Sequence, residues 1–212
     1  MKSVLTHRLI NNIMSESIIL DRKKSKLAIY AYHSEYYRIF YRPTGVNILI
    51  LKSSWDLVAN WAGYYSKFSA IFLQLHQSEP SEDNEQLKTF LRKLTKQLSE
   101  YYHTPNIGYF WVREHSGRDK QHYHLMVLIS GHCCQHSGVV DKLTREIWKE
   151  IDKNNSNYEV KRRVYKVNRY GHDKERRALL TRLSYFAKND SKTVHGSRHN
   201  FGRSQFLKKP SY

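Results

Sequence analysis

Apolar and polar positions along this chain change period several times, and each change marks an element. A-I-F-L-Q-L-H-Q (70–77) is a nearly unbroken apolar run, which predicts a largely buried strand. After polar P-S-E-D-N, residues Leu87, Phe90, Leu91, Leu94 and Leu98 recur at three- and four-residue spacing, predicting an amphipathic helix over about 85–103. P-N-I-G breaks it. I-G-Y-F-W-V-R-E (107–114) and H-Y-H-L-M-V-L-I (122–129) have strand composition and flank the turn-like S-G-R-D-K, so they predict a hairpin. Val140, Leu143, Ile147, Trp148 and Ile151 mark a second helix, Y-E-V-K-R-R-V-Y-K-V (158–167) a further strand, and K-E-R-R-A-L-L-T-R-L-S-Y-F-A-K (174–188) a third helix.

The first 66 residues have a less regular pattern and are expected to be mostly helical. They contain the tyrosine-rich K-L-A-I-Y-A-Y-H-S-E-Y-Y-R-I-F-Y and a short strand-like N-I-L-I-L; Ser53 or Ser54 is expected to cap a helix through Trp55 and Trp61. Strands interleaved with helices and joined partly by a hairpin predict an α+β fold with a central antiparallel sheet flanked by helices. The expected division is a largely helical N-terminal extension, 1–66, and a main domain, 67–212.

A chain of 212 residues can bury a full core. No apolar run reaches membrane-spanning length, and the N-terminus lacks the apolar core of a secretion signal. Thirty-six Lys and Arg against 19 acids give a net charge of +17, more than solubility requires, and 16 tyrosines accompany it. Cations with aromatics suit single-stranded nucleic acid, whose phosphates are neutralised and whose bases stack, and such binding weakens as salt rises. In the basic tail, Arg198, Arg203, Lys208 and Lys209 are candidates for backbone contacts, with a solvated chain end as the plain alternative. The only cysteines, Cys133 and Cys134, are adjacent, which gives no disulfide framework and points to a reducing cytoplasm. Neighbouring cysteines bite one ion poorly, so H-C-C-Q-H (132–136) is a weak zinc candidate.

His122 and His124 open the second hairpin strand, and side chains at i and i+2 share a face. Their Cα atoms stand roughly 6.5–7 Å apart, so both imidazoles can lean onto one cation at about 2.1 Å. Glu114 ends the partner strand and could add a carboxylate, leaving coordination positions for phosphate oxygens. The plain alternative is a strand with two half-exposed histidines. On the third helix, at ~100° per residue, Leu179, Leu183 and Phe186 form an apolar stripe. Tyr185 and Lys188 fall together on a polar side. A phenol with a pKa near 10 is a poor nucleophile at neutral pH, but a nearby cation and a metal-polarised phosphate would help it attack. A surface tyrosine is the alternative.

W-V-R-E-H…K-Q-H-Y-H-L-M-V-L-I, then R-L-S-Y-F-A-K-N-D-S-K, then H-N-F-G-R-S resemble, in order, the inovirus-type replication proteins of the YagK/YfjJ class, within the HUH single-tyrosine endonucleases. The resemblance covers roughly 69–205. It implies metal ligation by His122 and His124, with Glu114 at the W-x-R-E position as a third ligand, and nucleophilic attack by Tyr185 assisted by Lys188 of a Y-x-x-K motif. The sequence departs from the family pattern in the first strand: Leu75-His76 is kept, but Phe72 and Gln74 stand where the family carries Arg and Asp. His76 and Gln74 are thus either metal neighbours or structural.

The implied function is a Mn2+- or Mg2+-dependent DNA nickase and strand transferase. It would initiate rolling-circle replication of a phage, plasmid or integrated element through a 5′-phosphotyrosine intermediate, in a bacterial cytoplasm. The implied partners are single-stranded DNA at a replication origin, extended or hairpin, and a host polymerase. No G-x-x-x-x-G-K-[ST] motor motif occurs, so a host helicase would separate strands. Two alternatives remain: a relaxase- or transposase-type enzyme with the same chemistry, and a non-catalytic nucleic-acid-binding protein on the same fold.

Overall fold

The computed structural model describes residues 18–20, 26–115, 121–189 and 200–208. Three short strands come first: β1 (Ile18–Leu20), β2 (Leu27–Tyr32) and β3 (Glu35–Phe40). They form an antiparallel sheet in that order. Within the described part of the expected helical extension, strands therefore stand at 18–20, 27–32 and 35–40 where helix was expected, and residues 1–17 and 21–25 lie outside the described residues. Ala28, Tyr30, Tyr37 and Ile39 are buried with a period of two, and His33 and Ser34 both take positive φ (46° and 64°), as a two-residue hairpin turn requires. Helix α1 (Ile48–Tyr64) follows. N-I-L-I-L is its first turn rather than a strand, and its cap is Asn47, whose side chain accepts the Ile50 N–H at 3.2 Å. Ser54 lies inside the helix and donates to the Leu51 carbonyl.

The main sheet is antiparallel throughout. It contains β4 (Lys67–Gln77), β5 (Gly108–His115), β6 (Gln121–Ser130), β7 (Ser156–Tyr158), β8 (Val164–Asn168) and β9 (Phe201–Arg203). Its order is β7-β4-β6-β5-β9, with β8 pairing the lower-numbered end of β4 on the same edge as β7. Helices α2 (Glu85–Tyr101) and α3 (Gly138–Ile151) bury the stripes expected of them. Helix α4 (Lys174–Ser184) is shorter than expected: a 3-10 turn covers Tyr185–Ala187, and Lys188 is extended. Residues 116–120, the expected hairpin turn, lie outside the described set.

Alternation sorts the sheet's side chains onto two cores. Odd-numbered Ile71, Leu75, Trp111, Tyr123 and Leu125 pack with α2 and α3. Even-numbered Phe68, Phe72, Phe110, Val112, Met126 and Leu128 pack with α1, α4 and the small sheet. Helix α1 is therefore covered on two sides. Trp55 meets Tyr30, Tyr32 and Tyr37 of the small sheet, while Trp61 packs on Phe68 of the main sheet. Gly108 makes room for that second contact, because a Cβ there would stand 2.7 Å from the Trp61 ring. The described residues before 67 thus share one core with the main sheet.

Candidate metal centre

The even-numbered face of β4, β6 and β5 turns polar at one end. Across the three strands, His76 lies opposite His122, and His122 opposite Glu114; Gln74 lies opposite His124, and His124 opposite Val112. Directly paired residues share a face, so the register alone brings Glu114, His122 and His124 together. Glu114 Oε2 stands 3.3 Å from His122 Nε2 and 3.3 Å from His124 Nε2. One ligand atom from each of the three residues falls within 4.8 Å of the others, a geometry that could hold a metal ion.

The electrostatics suit a cation. Burial pushes the Glu114 carboxyl up. Hydrogen bonds from His122 and His124, and the charges of His124 and Lys188, outweigh it and hold the group well below the usual carboxylate range. Burial lowers the His124 pKa against the raising pull of Glu114, which favours the neutral imidazole that a metal needs. Glu114 Oε1 and His122 Nδ1 are buried without a hydrogen-bond partner among the described residues. A carboxylate with a spare, dehydrated oxygen beside two imidazoles is a donor set that fits a divalent cation.

The helix that carries Tyr185 ends against this cluster. Lys188 Nζ donates to Tyr185 Oη at 2.8 Å and reaches Glu114 Oε2 at 3.4 Å. Tyr185 is half-buried, edge-on to His124 at 5.8 Å and to Phe40 at 5.5 Å, while neighbouring Phe186 is buried and stacks on His124. The off-stripe position expected for Tyr185 is therefore found, but through a 3-10 turn rather than a continuing α-helix. The five residues Tyr185, Lys188, Glu114, His122 and His124, all predicted from the sequence, converge here as a chain of contacts from phenol to ammonium to carboxylate to imidazoles.

Several residues that hold this geometry carry no local sequence signal. Ser184 Oγ accepts the Phe40 N–H at 2.7 Å and donates to the Thr181 carbonyl, tying the end of α4 to β3. Asn47 N donates to the Ala187 carbonyl at 2.7 Å, Val46 bridges Lys188, and Asn189 Nδ2 donates to the Thr44 carbonyl. The chain between β3 and α1 is thus a clasp around the Tyr185–Lys188 segment. Gln74 and His76 lie beside the triad without joining it: the Gln74 amide nitrogen is 3.0 Å from His76 Nε2, and the His76 ring stacks on His122.

Of the four tail candidates, Arg203 and Lys208 fall among the described residues. Arg203 lies opposite Phe110 on the β5 edge, donates to the Ser204 carbonyl and covers the Phe206 ring at 3.8 Å. Lys208 is exposed, and Arg198 and Lys209 lie outside the described residues. Cys134 is buried in the second core and Cys133 exposed.

Fold and site together define an α+β protein whose sheet carries a two-histidine, one-carboxylate candidate metal centre. Residues 30–204 match the family model of the YagK/YfjJ C-terminal domain, and the chain belongs to that family. No curated protein and no solved structure matches it. Among the described residues, no helix is long and apolar enough to cross a membrane.

Proposed function

We propose that this protein is a metal-dependent, single-tyrosine HUH nickase and strand transferase of the inovirus replication type, acting on single-stranded DNA to start rolling-circle replication. The observation that carries the reading is the unbroken line Tyr185 Oη–Lys188 Nζ–Glu114 Oε2–His122/His124 Nε2, every link 3.4 Å or shorter. A structural tyrosine has no need of a path to a buried carboxylate shared by two imidazoles.

Glu114, His122 and His124 would hold Mn2+ or Mg2+, which when bound supplies a positive charge to polarise a phosphate oxygen. Tyr185 Oη attacks the phosphorus, forming the Tyr–O–P ester as the P–O3′ bond breaks. The phenol gives up its proton, and the departing 3′ oxygen gains one to leave as a free hydroxyl. Lys188, already donating to Oη, stabilises the developing phenolate. Phe40 packs edge-on against the Tyr185 ring, which itself lies edge-on to His124. Reversal of the same step, with a new 3′-hydroxyl attacking the ester, rejoins the strand. The +17 charge supports retention of a polyanionic substrate.

The test is incubation with circular single-stranded DNA and Mn2+ or Mg2+, followed by denaturing electrophoresis. A nicked strand carrying covalently attached protein, absent in chelator, is expected. Binding to the DNA without any adduct under either metal would favour the non-catalytic alternative.

A further inference from the structure

Beside the triad, the even-numbered face of β4 runs from Phe72, buried in the core, to the half-buried Gln74 and His76, and these last two line a lane. Arg182 overhangs the Phe72 end, one turn before Tyr185 on α4. Its guanidinium lies 5.7 Å from the Phe72 ring centre and 5.8 Å from that of Tyr185. Its neighbours on and around α4 are neutralised: Arg162 by Glu175, Arg163 by Asp141, and Arg176 and Arg177 by Asp173 and Glu35. Arg182 differs from all of these. Among the described residues no carboxylate meets it, and its Nε is buried without a hydrogen-bond partner. A guanidinium held between aromatic rings with its donors unspent is built for an anion, and its planar fork suits phosphate.

Further along, Tyr158 of β7 lies opposite Gln74. Its ring is tilted over His76 at 4.5 Å, and His76 in turn stacks on His122 at 5.3 Å. The row therefore runs from a candidate metal ligand to an aromatic ring left 62% exposed. An exposed tyrosine braced on its inner side by an imidazole is a platform for a flat apolar surface.

We propose that this lane binds the unpaired nucleotides flanking the scissile phosphate, with Arg182 taking a backbone phosphate and Tyr158 stacking a base. This rests on the nickase reading and deepens it. A base can lie on Tyr158 only after leaving its Watson–Crick partner, so the lane selects single strands over duplex, and the strand laid along β4 passes directly beside Tyr185 and the triad. The interaction needs no metal, because neither Arg182 nor Tyr158 belongs to the ligand set.

Binding is measured by fluorescence anisotropy in chelator at moderate salt, using a mixed-sequence single-stranded oligonucleotide and its duplex. Lys96→Gln, on the opposite side of the sheet, controls for loss of one charge. Y158A and R182Q should each weaken single-strand binding by at least about fivefold. Y158F, which keeps the ring, should stay within about twofold of wild type, and R182K should fall between wild type and R182Q. An oligonucleotide carrying 2-aminopurine should be quenched on wild type and Y158F but less on Y158A, a stacking readout that a merely structural role would not move. Circular dichroism checks folding, which the exposed Tyr158 ring leaves untouched. If Y158A and R182Q both match Lys96→Gln while wild type still forms the Tyr185 adduct, the lane assignment is overturned and the nickase reading stands. If wild type neither prefers single strands nor forms an adduct, both are overturned.

Discussion

One end of the main sheet is polar on both faces, and the two faces are built in opposite ways. On the α2 side, Arg113 is 2% exposed and spends its donors on the Ser81, Glu82 and Asp83 carbonyls, Asn84, Gln121 and His115. Gln121 donates to Gln77 and approaches the Tyr123 hydroxyl, which lies 3.2 Å from Asn84 Oδ1. Burial pushes the Tyr123 phenol up to about 12, so it stays a neutral donor. The network is closed, and it pins the loop between β4 and α2. On the other face, one residue along each strand, Glu114 and His122 each keep a buried polar atom without a partner among the described residues, and one ligand atom from each of Glu114, His122 and His124 lies within 4.8 Å of the others. Closed networks hold a fold together, whereas buried groups left short of partners, which cost about 1–3 kcal/mol each, call for something the chain alone does not supply.

The comparison breaks most sharply at Tyr185. Tyr185→Phe removes one half-buried oxygen and should eliminate adduct and nick, with the thermal melt and DNA binding preserved; electrophoresis and anisotropy read the two. Replacing both His122 and His124 by Ala should abolish metal-dependent cleavage and the heat of Mn2+ binding in calorimetry, while circular dichroism shows a folded chain. Arg113→Met should do the reverse, destabilising the fold by about 3 kcal/mol in a denaturant titration and leaving metal uptake per folded molecule unchanged. Lys188→Ala should slow single-turnover cleavage about a hundredfold without abolishing it, since an ammonium stabilises charge but forms no bond. The smallest effect belongs to Tyr123→Phe, about 1 kcal/mol of stability and no change in cleavage. A cleavage defect in Arg113→Met as deep as in the histidine variant would erase the distinction between the faces.

Much of the site was legible because strand periodicity is a strict geometric rule. H-x-H on a strand fixes a shared face, and a hairpin fixes which partner residue lies opposite, so Glu114, His122 and His124 follow from spacing. The small sheet was hidden because its tyrosines occupy both faces: Tyr30 and Tyr37 are buried, Tyr36 is exposed, and a pattern of residue types cannot separate them. Helix α1 was misread at its start because it lies between two sheets and is apolar on more than one side, which blurs the helical stripe of I-L-I-L into a strand-like run. The contacts from Lys188 to Glu114 and from Ser184 to Phe40 join segments far apart in sequence, and no local period encodes them. Arg113 reads in sequence as one more cation, and only burial shows it to be structural.

The central claim is that the oxygen of Tyr185, placed by Lys188 beside the Glu114–His122–His124 centre, forms the bond to DNA. Its most direct test is mass spectrometry of the peptide left attached to nucleotide after nicking in Mn2+. The account predicts a phosphonucleotide on Tyr185 alone. Attachment at another tyrosine, such as the exposed Tyr170, would contradict it.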